Sequence, residues 1–122
     1  MEGLITGRVV HYVLSDGDVS EIRRRREGRM KDGLTFSGFQ GNSVEVGQHV
    51  PAMVVCVFDT PGDLQAPGMV NLTCFLDGHD THWATSRKYG LDGEPLTWHW
   101  IERDDDANED RIAGARGSDV AA

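Results

Sequence analysis

The chain has 122 residues, 39% of them hydrophobic, and a formal net charge of −8, which suits one domain with a core of its own. No apolar run approaches the ~20 residues that cross a bilayer, and the opening MEGLITGR lacks the basic-then-apolar pattern of a secretory signal, so a cytoplasmic protein is expected. The acidic balance argues against duplex DNA or RNA as a partner, since that affinity rests on neutralising phosphates.

The charge is unevenly placed. Six acids (Asp104, Asp105, Asp106, Glu109, Asp110, Asp119) against two arginines give the tail 104–122 a charge of −4, which leaves −4 for the body. Residues 1–103 read as the globular domain and 104–122 as an acidic tail without periodicity, expected to be disordered. Cys56 and Cys74 both fall in apolar patterns and are expected to be free thiols of a reducing compartment.

Leu4–Leu14 reads as a first strand, with a bulge at the doubled pair Val9-Val10. Ser15 followed by Asp18 resembles a capping box and opens a helix expected over Asp16–Glu27. On it Val19 and Ile22 face the core, and Arg23-Arg24-Arg25-Arg26 continue round the exposed side. Gly28–Gly33 reads as a loop and Leu34–Phe39 as a short strand or irregular segment. Gly41-Asn42 and Gly47 mark turns. Val50–Phe58 is apolar at both alternations, so a central strand covered on both faces is expected, with Pro51 near its start. Asp59–Gly68 is a loop.

Met69–Ser86 reads as a hairpin. Val70, Leu72, Cys74 and Leu76 alternate with polar residues, and Asp77-Gly78 suits a two-residue turn. Arg87–Glu94 reads as a loop and Pro95–Ile101 as a last strand with Leu96, Trp98 and Trp100 on one face. Short strands with frequent turns and one helix give an α+β fold, a small and mainly antiparallel barrel or bent sheet.

The Met69–Arg87 stretch concentrates the polar chemistry. Trp83 is either core or a platform for a purine ring, where stacking contributes ~1–3 kcal/mol per base. Asn71 and Asp77 offer polar recognition, and Thr85, Ser86 and Arg87 suit a ribose or phosphate. Arg23 and Arg26 share a helix face and suit a phosphate. Asp80 and His82 share a strand face, and His99 from a neighbouring strand completes a mixed set of zinc type; solvated hairpin polarity is the simpler explanation, and no cofactor is expected. No nucleophile–base pair, phosphate loop or H-E-x-x-H motif is present, so the reading is a binding protein and not an enzyme.

Two resemblances order the hypotheses. Thr6–Leu14, Asp18–Arg25, Gly41-Asn42 with Gly47 and Pro51, Val70-Asn71 with Phe75-Leu76-Asp77-Gly78, Asp80-Thr81, Trp83, Thr85-Ser86 and Thr97-Trp98-His99-Trp100 resemble a family of small proteins encoded by actinobacterial phages and prophages. That likeness implies a phage origin, hence the cytoplasm of an infected bacterium, and brings no activity with it. Asp77-Gly78, Trp83, Ser86 and Trp98 or Trp100 are also similar to the closing pattern of phage inhibitors of Thoeris defence, which sequester nucleotide signals. The resemblance implies a non-catalytic, homo-oligomeric sponge for an ADP-ribose-type or cyclic nucleotide. A structural or protein–protein module, such as a minor virion component or a host-protein inhibitor, is the alternative, and a metal-dependent cyclic-nucleotide hydrolase the third reading.

Overall fold

The computed structural model describes residues 1–31, 40–58, 67–91 and 93–101. Leu34–Phe39, most of the Asp59–Gly68 loop and the acidic tail lie outside the described residues. The elements are β1 (Val9–Val13), α1 (Asp16–Lys31), β2 (His49–Val57), β3 (Val70–Phe75), β4 (Thr81–Tyr89) and β5 (Thr97–His99). The five strands close a barrel in chain order. The β1–β2, β2–β3, β3–β4 and β1–β5 pairs are antiparallel, and β4–β5 is parallel. The expected α+β barrel with one helix is therefore the fold.

Alternation decides what faces inward. Val10 and Tyr12 of β1, Val50, Ala52 and Val54 of β2, Val70, Leu72 and Cys74 of β3, Ala84 of β4 and Trp98 of β5 are buried in one cluster. From α1, Val19 and Ile22 join it, so the helix covers part of this core with an apolar stripe one turn long. The Trp98 indole donates to the Gly68 carbonyl at 2.7 Å and stands edge-on to Trp100, so its one polar atom is satisfied inside the core.

Several local expectations are corrected. The β1–β2 register runs unbroken from Val9 to Val13, so there is no bulge at Val9-Val10. The irregularities fall in β2 between Val54 and Cys56, and in the β3–β4 ladder between Val70 and Leu72. The helix continues to Lys31, through the start of the expected Gly28–Gly33 loop. β2 is covered on one face only: Val55 is exposed on the other, because a small barrel buries just its interior. β4 runs on to Tyr89, through the start of the expected Arg87–Glu94 loop. β5 is three residues long, and Leu96 lies before it, exposed and at φ 73°.

The β3–β4 connection is also wider than a two-residue turn. It spans residues 76–80, with Leu76 donating to the Asp80 carbonyl at 3.1 Å, and Gly78 bridges to Gly41 at φ 134°. A Cβ on Gly78 would lie 2.5 Å from the Gln40 carbonyl oxygen, so this crossing of two backbones requires glycine. A parallel ladder normally needs a connection of about a dozen residues. Here β4 and β5 overlap at two residue pairs only, so the short 90–96 segment suffices. At its start, Gly90 packs against Thr97 where a Cβ would meet Oγ1 at 2.5 Å.

Leu72→Ala is expected to lower the unfolding free energy by about 2–5 kcal/mol, the range for a buried leucine lost from a close-packed core, as measured by urea denaturation. Gly78→Ala should be destabilising by the same measurement although Gly78 is exposed; a neutral result would show that the Gly41 crossing is free to shift.

Candidate functional site

Ser15 and Asp18 form the expected helix cap. The Asp18 amide donates to Ser15 Oγ at 3.1 Å, and the Ser15 amide donates to Asp18 Oδ2 at 2.9 Å. The carboxylate then does more than cap. Its Oδ2 also accepts from Tyr12 Oη at 2.5 Å and Ser15 Oγ at 2.9 Å, and its Oδ1 meets His82 Nε2 at 2.9 Å and Arg87 Nη2 at 3.4 Å. Asp18 and His82 are both buried. Burial alone disfavours the Asp18 anion, but the hydrogen bonds from His82, Tyr12 and Ser15 outweigh it and hold the carboxyl below the ordinary carboxylate range. A carboxylate only accepts, so His82 carries its proton on Nε2. Burial, then the bond to Asp18, raises the Tyr12 phenol. Burial, then the Asp18 charge, pushes the Cys74 thiol up to about 12, which leaves it unreactive.

Arg87, half-buried, joins this network. Leu72 pairs with Ala84, but Val70 pairs with Arg87, so β4 carries one extra residue. Ser86, at φ 56°, takes up that bulge, and Asn71 Oδ1 accepts from the Ser86 amide at 2.8 Å. The bulge turns Arg87 inward, where Nε donates to Tyr12 Oη at 2.8 Å and Nη1 to the Thr85 carbonyl at 2.7 Å.

Asp80 is buried and takes two of the four arginines. Arg25 Nη2 donates to both its oxygens at 2.8 and 2.9 Å, and Arg26 Nε to Oδ2 at 2.9 Å. Burial opposes the Asp80 anion, and the bonds from Arg26 and Arg25 prevail and lower its pKa. The expected Asp80, His82 and His99 metal set is thereby dispersed: Asp80 binds arginines, His82 binds Asp18, and His99 contacts His11 and His49.

A cleft of about 480 Å³ lies between α1 and the segment 41–44, lined by Arg23, Arg26, Glu27, Gly41, Asn42, Ser43 and Val44. The arginines contribute two positive charges and Glu27 one negative, so the lining is positive by one. Arg23 Nη2 donates to the Val44 carbonyl at 3.1 Å and Arg26 Nη1 to the Asn42 carbonyl at 3.0 Å. Arg26 Nη2 is buried with no hydrogen-bond partner among the described residues.

Of the sequence candidates, Arg23 and Arg26 therefore meet in one cleft. Asp77 borders it indirectly, its Oδ2 accepting from Asn42 Nδ2 at 2.7 Å. Asn71 and Ser86 seal the bulge, and Thr85 and Arg87 serve the interior network. Trp83 is neither core nor cleft. It is 65% exposed on the outer barrel face, in a cross-strand row with Val9, Met53 and Thr73. The sequence reading missed Tyr12 and the larger role of Asp18. Their signal was a strand tyrosine one helical cap away from a buried acid. No family model, curated protein or solved structure matches this chain.

Asp18→Asn is expected to cost about 3–5 kcal/mol, as for breaking a buried charge pair, in urea denaturation at neutral pH. In the wild type the Asp18 contribution is full above the ordinary aspartate value of ~3.9 and fades as pH falls towards its lower native value, because the unfolded chain binds the proton first. The acid limb of stability below about pH 4 should therefore be shallower in Asp18→Asn.

Proposed function

We propose that this protein is a non-catalytic phage accessory protein that holds a small nucleotide-type ligand in the α1 cleft and sequesters it, acting as an anti-defence sponge. The observation that carries the reading is the pair Arg23 and Arg26, one helical turn apart on the wall of an open cleft. Arg23, exposed and fixed against the Val44 carbonyl through Nη2, is the phosphate donor in this reading, and Arg26, held by Asp80 and the Asn42 carbonyl, adds positive charge to the wall. The cleft volume falls within the ~300–1,000 Å³ of small-molecule sites. Its lining residues carry guanidinium, amide, hydroxyl and carboxylate groups. In this reading the protein is a homo-oligomer, in which a second copy would close the open side of the cleft.

The outer-face row Val9, Met53, Thr73 and Trp83, exposed at its two ends, favours a second reading, a protein–protein module such as a virion component or an inhibitor of a host protein. Large exposed aromatics are typical interface anchors.

Isothermal titration of ADP-ribose and of cyclic nucleotides separates the two. Under the sponge reading one class binds, and Arg23→Ala weakens it by roughly 10- to 100-fold, the equivalent of about 1.5–3 kcal/mol for a charged hydrogen bond. Trp83→Ala should then change affinity less than about twofold, since Trp83 is exposed on the outer barrel face and does not line the cleft. Loss of binding in Trp83→Ala with Arg23→Ala unaffected would move the ligand to the outer face. Absence of binding by every nucleotide tested would leave the interaction module.

A further inference from the structure

Three of the five histidines of the chain converge on one point of the outer barrel face. His11 on β1 lies directly opposite His99 on β5. His49 begins β2 opposite Val13, which places it diagonally to His11 on the same face of the β1–β2 ladder. The inward alternation of Val10, Tyr12, Val50 and Trp98 puts all three imidazoles outside the core. One ring nitrogen of each lies within 4.8 Å of the other two. The rings meet edge-on and do not stack, with His11 and His99 at 82° and 5.7 Å between centroids, and His49 and His99 at 66° and 4.8 Å.

We propose that His11, His49 and His99 form a site for a late first-row divalent cation of the zinc class. Three imidazoles with an open fourth position are the donor set of a catalytic-type zinc site, whereas structural zinc is closed by four protein ligands. With metal–nitrogen bonds of ~2.0–2.1 Å, a tetrahedral ion sets its nitrogens ~3.3 Å apart, so side-chain rotations of about 1.5 Å or less bring these three into place. Among the described residues no carboxylate or thiolate joins the cluster. An all-nitrogen set discriminates against Mg²⁺ and Ca²⁺, which prefer oxygen, and favours Zn²⁺, Ni²⁺, Co²⁺ or Cu²⁺.

The position gives the ion a structural consequence. β5 is three residues long and joins β1 through two residue pairs and β4 through two more. An ion held by β1, β2 and β5 together crosses this shortest seam of the barrel and fastens it. Gly93, at φ 66°, approaches His49, where a Cβ would lie 3.3 Å from Cε1. Gly93 thus flanks the site on the His49 side. This site is separate from the α1 cleft, and its residues take no part in the nucleotide reading.

The test uses the full, untagged chain after chelator treatment. Titration with Zn²⁺ followed by calorimetry should give saturable one-to-one binding, with a rise in melting temperature that Mg²⁺ does not produce. Cobalt(II) should give the intense visible bands of a tetrahedral site. His49→Ala removes an exposed side chain at a strand start, so the fold is retained. It should weaken zinc by more than the ~10–100-fold that loss of an outer-shell partner costs, whereas His79→Ala, in the hairpin connection, should leave affinity unchanged. Should the wild type show no saturable binding, or should His49→Ala bind as tightly as the wild type, the site is overturned. An octahedral cobalt spectrum with equal response to Mg²⁺ overturns it as well.

Discussion

A carboxylate shut inside a small barrel must be met by donors or protonated, and that demand on Asp18 organises the molecule. Its two oxygens gather Ser15 from the helix start, Tyr12 from β1, and His82 and Arg87 from β4. These groups come from the helix start and from two strands, so the start of α1 is tied to the barrel at both β1 and β4. The geometry explains the β4 bulge. Without the extra residue at Ser86, Arg87 would point away from the interior, and the buried anion would lack its formal counter-charge. Asn71, which looked like a ligand-recognition residue, instead closes the backbone of that bulge.

The run of four arginines divides its work in the same way. Arg25 and Arg26 tie α1 to the hairpin through Asp80, a second buried acid whose charge would otherwise be unfavourable. Arg23 and the rest of Arg26 remain for the cleft. A protein of net charge −8 thus keeps a cleft lining that is positive by one.

The barrel itself is unevenly fastened. β1 to β4 form a continuous antiparallel meander with long ladders, whereas β5 is short and pairs in parallel with β4. Trp98 compensates from the inside, filling the core and donating its indole proton to Gly68. Outside, the same seam carries His11, His49 and His99. Inner and outer faces of one short strand therefore both serve closure, by packing on one side and by imidazoles on the other.

Local signals were legible wherever neighbours in sequence are neighbours in space. The Ser15–Asp18 cap, the helix with Val19 and Ile22 inward, the alternation of Val70, Leu72 and Cys74, and a small barrel or bent sheet with one helix all follow from short-range periodicity and turn chemistry; closure of the barrel does not. The pairing of Arg23 with Arg26 also follows, because three residues is one turn. What depends on distant register was not legible. Whether Arg87 faces in or out turns on one extra residue in β4. Whether β2 is covered on both faces depends on the sheet closing into a barrel with a single helix. The partner of His99 depends on which strand lies beside β5: His82, expected beside it, went to Asp18, and His11 and His49 took its place. The sequence by itself determined the elements and their apolar faces, since those reflect interactions a few residues apart. The tertiary structure alone decided which polar side chains meet, since a one-residue shift in a strand reverses the face on which every later side chain falls.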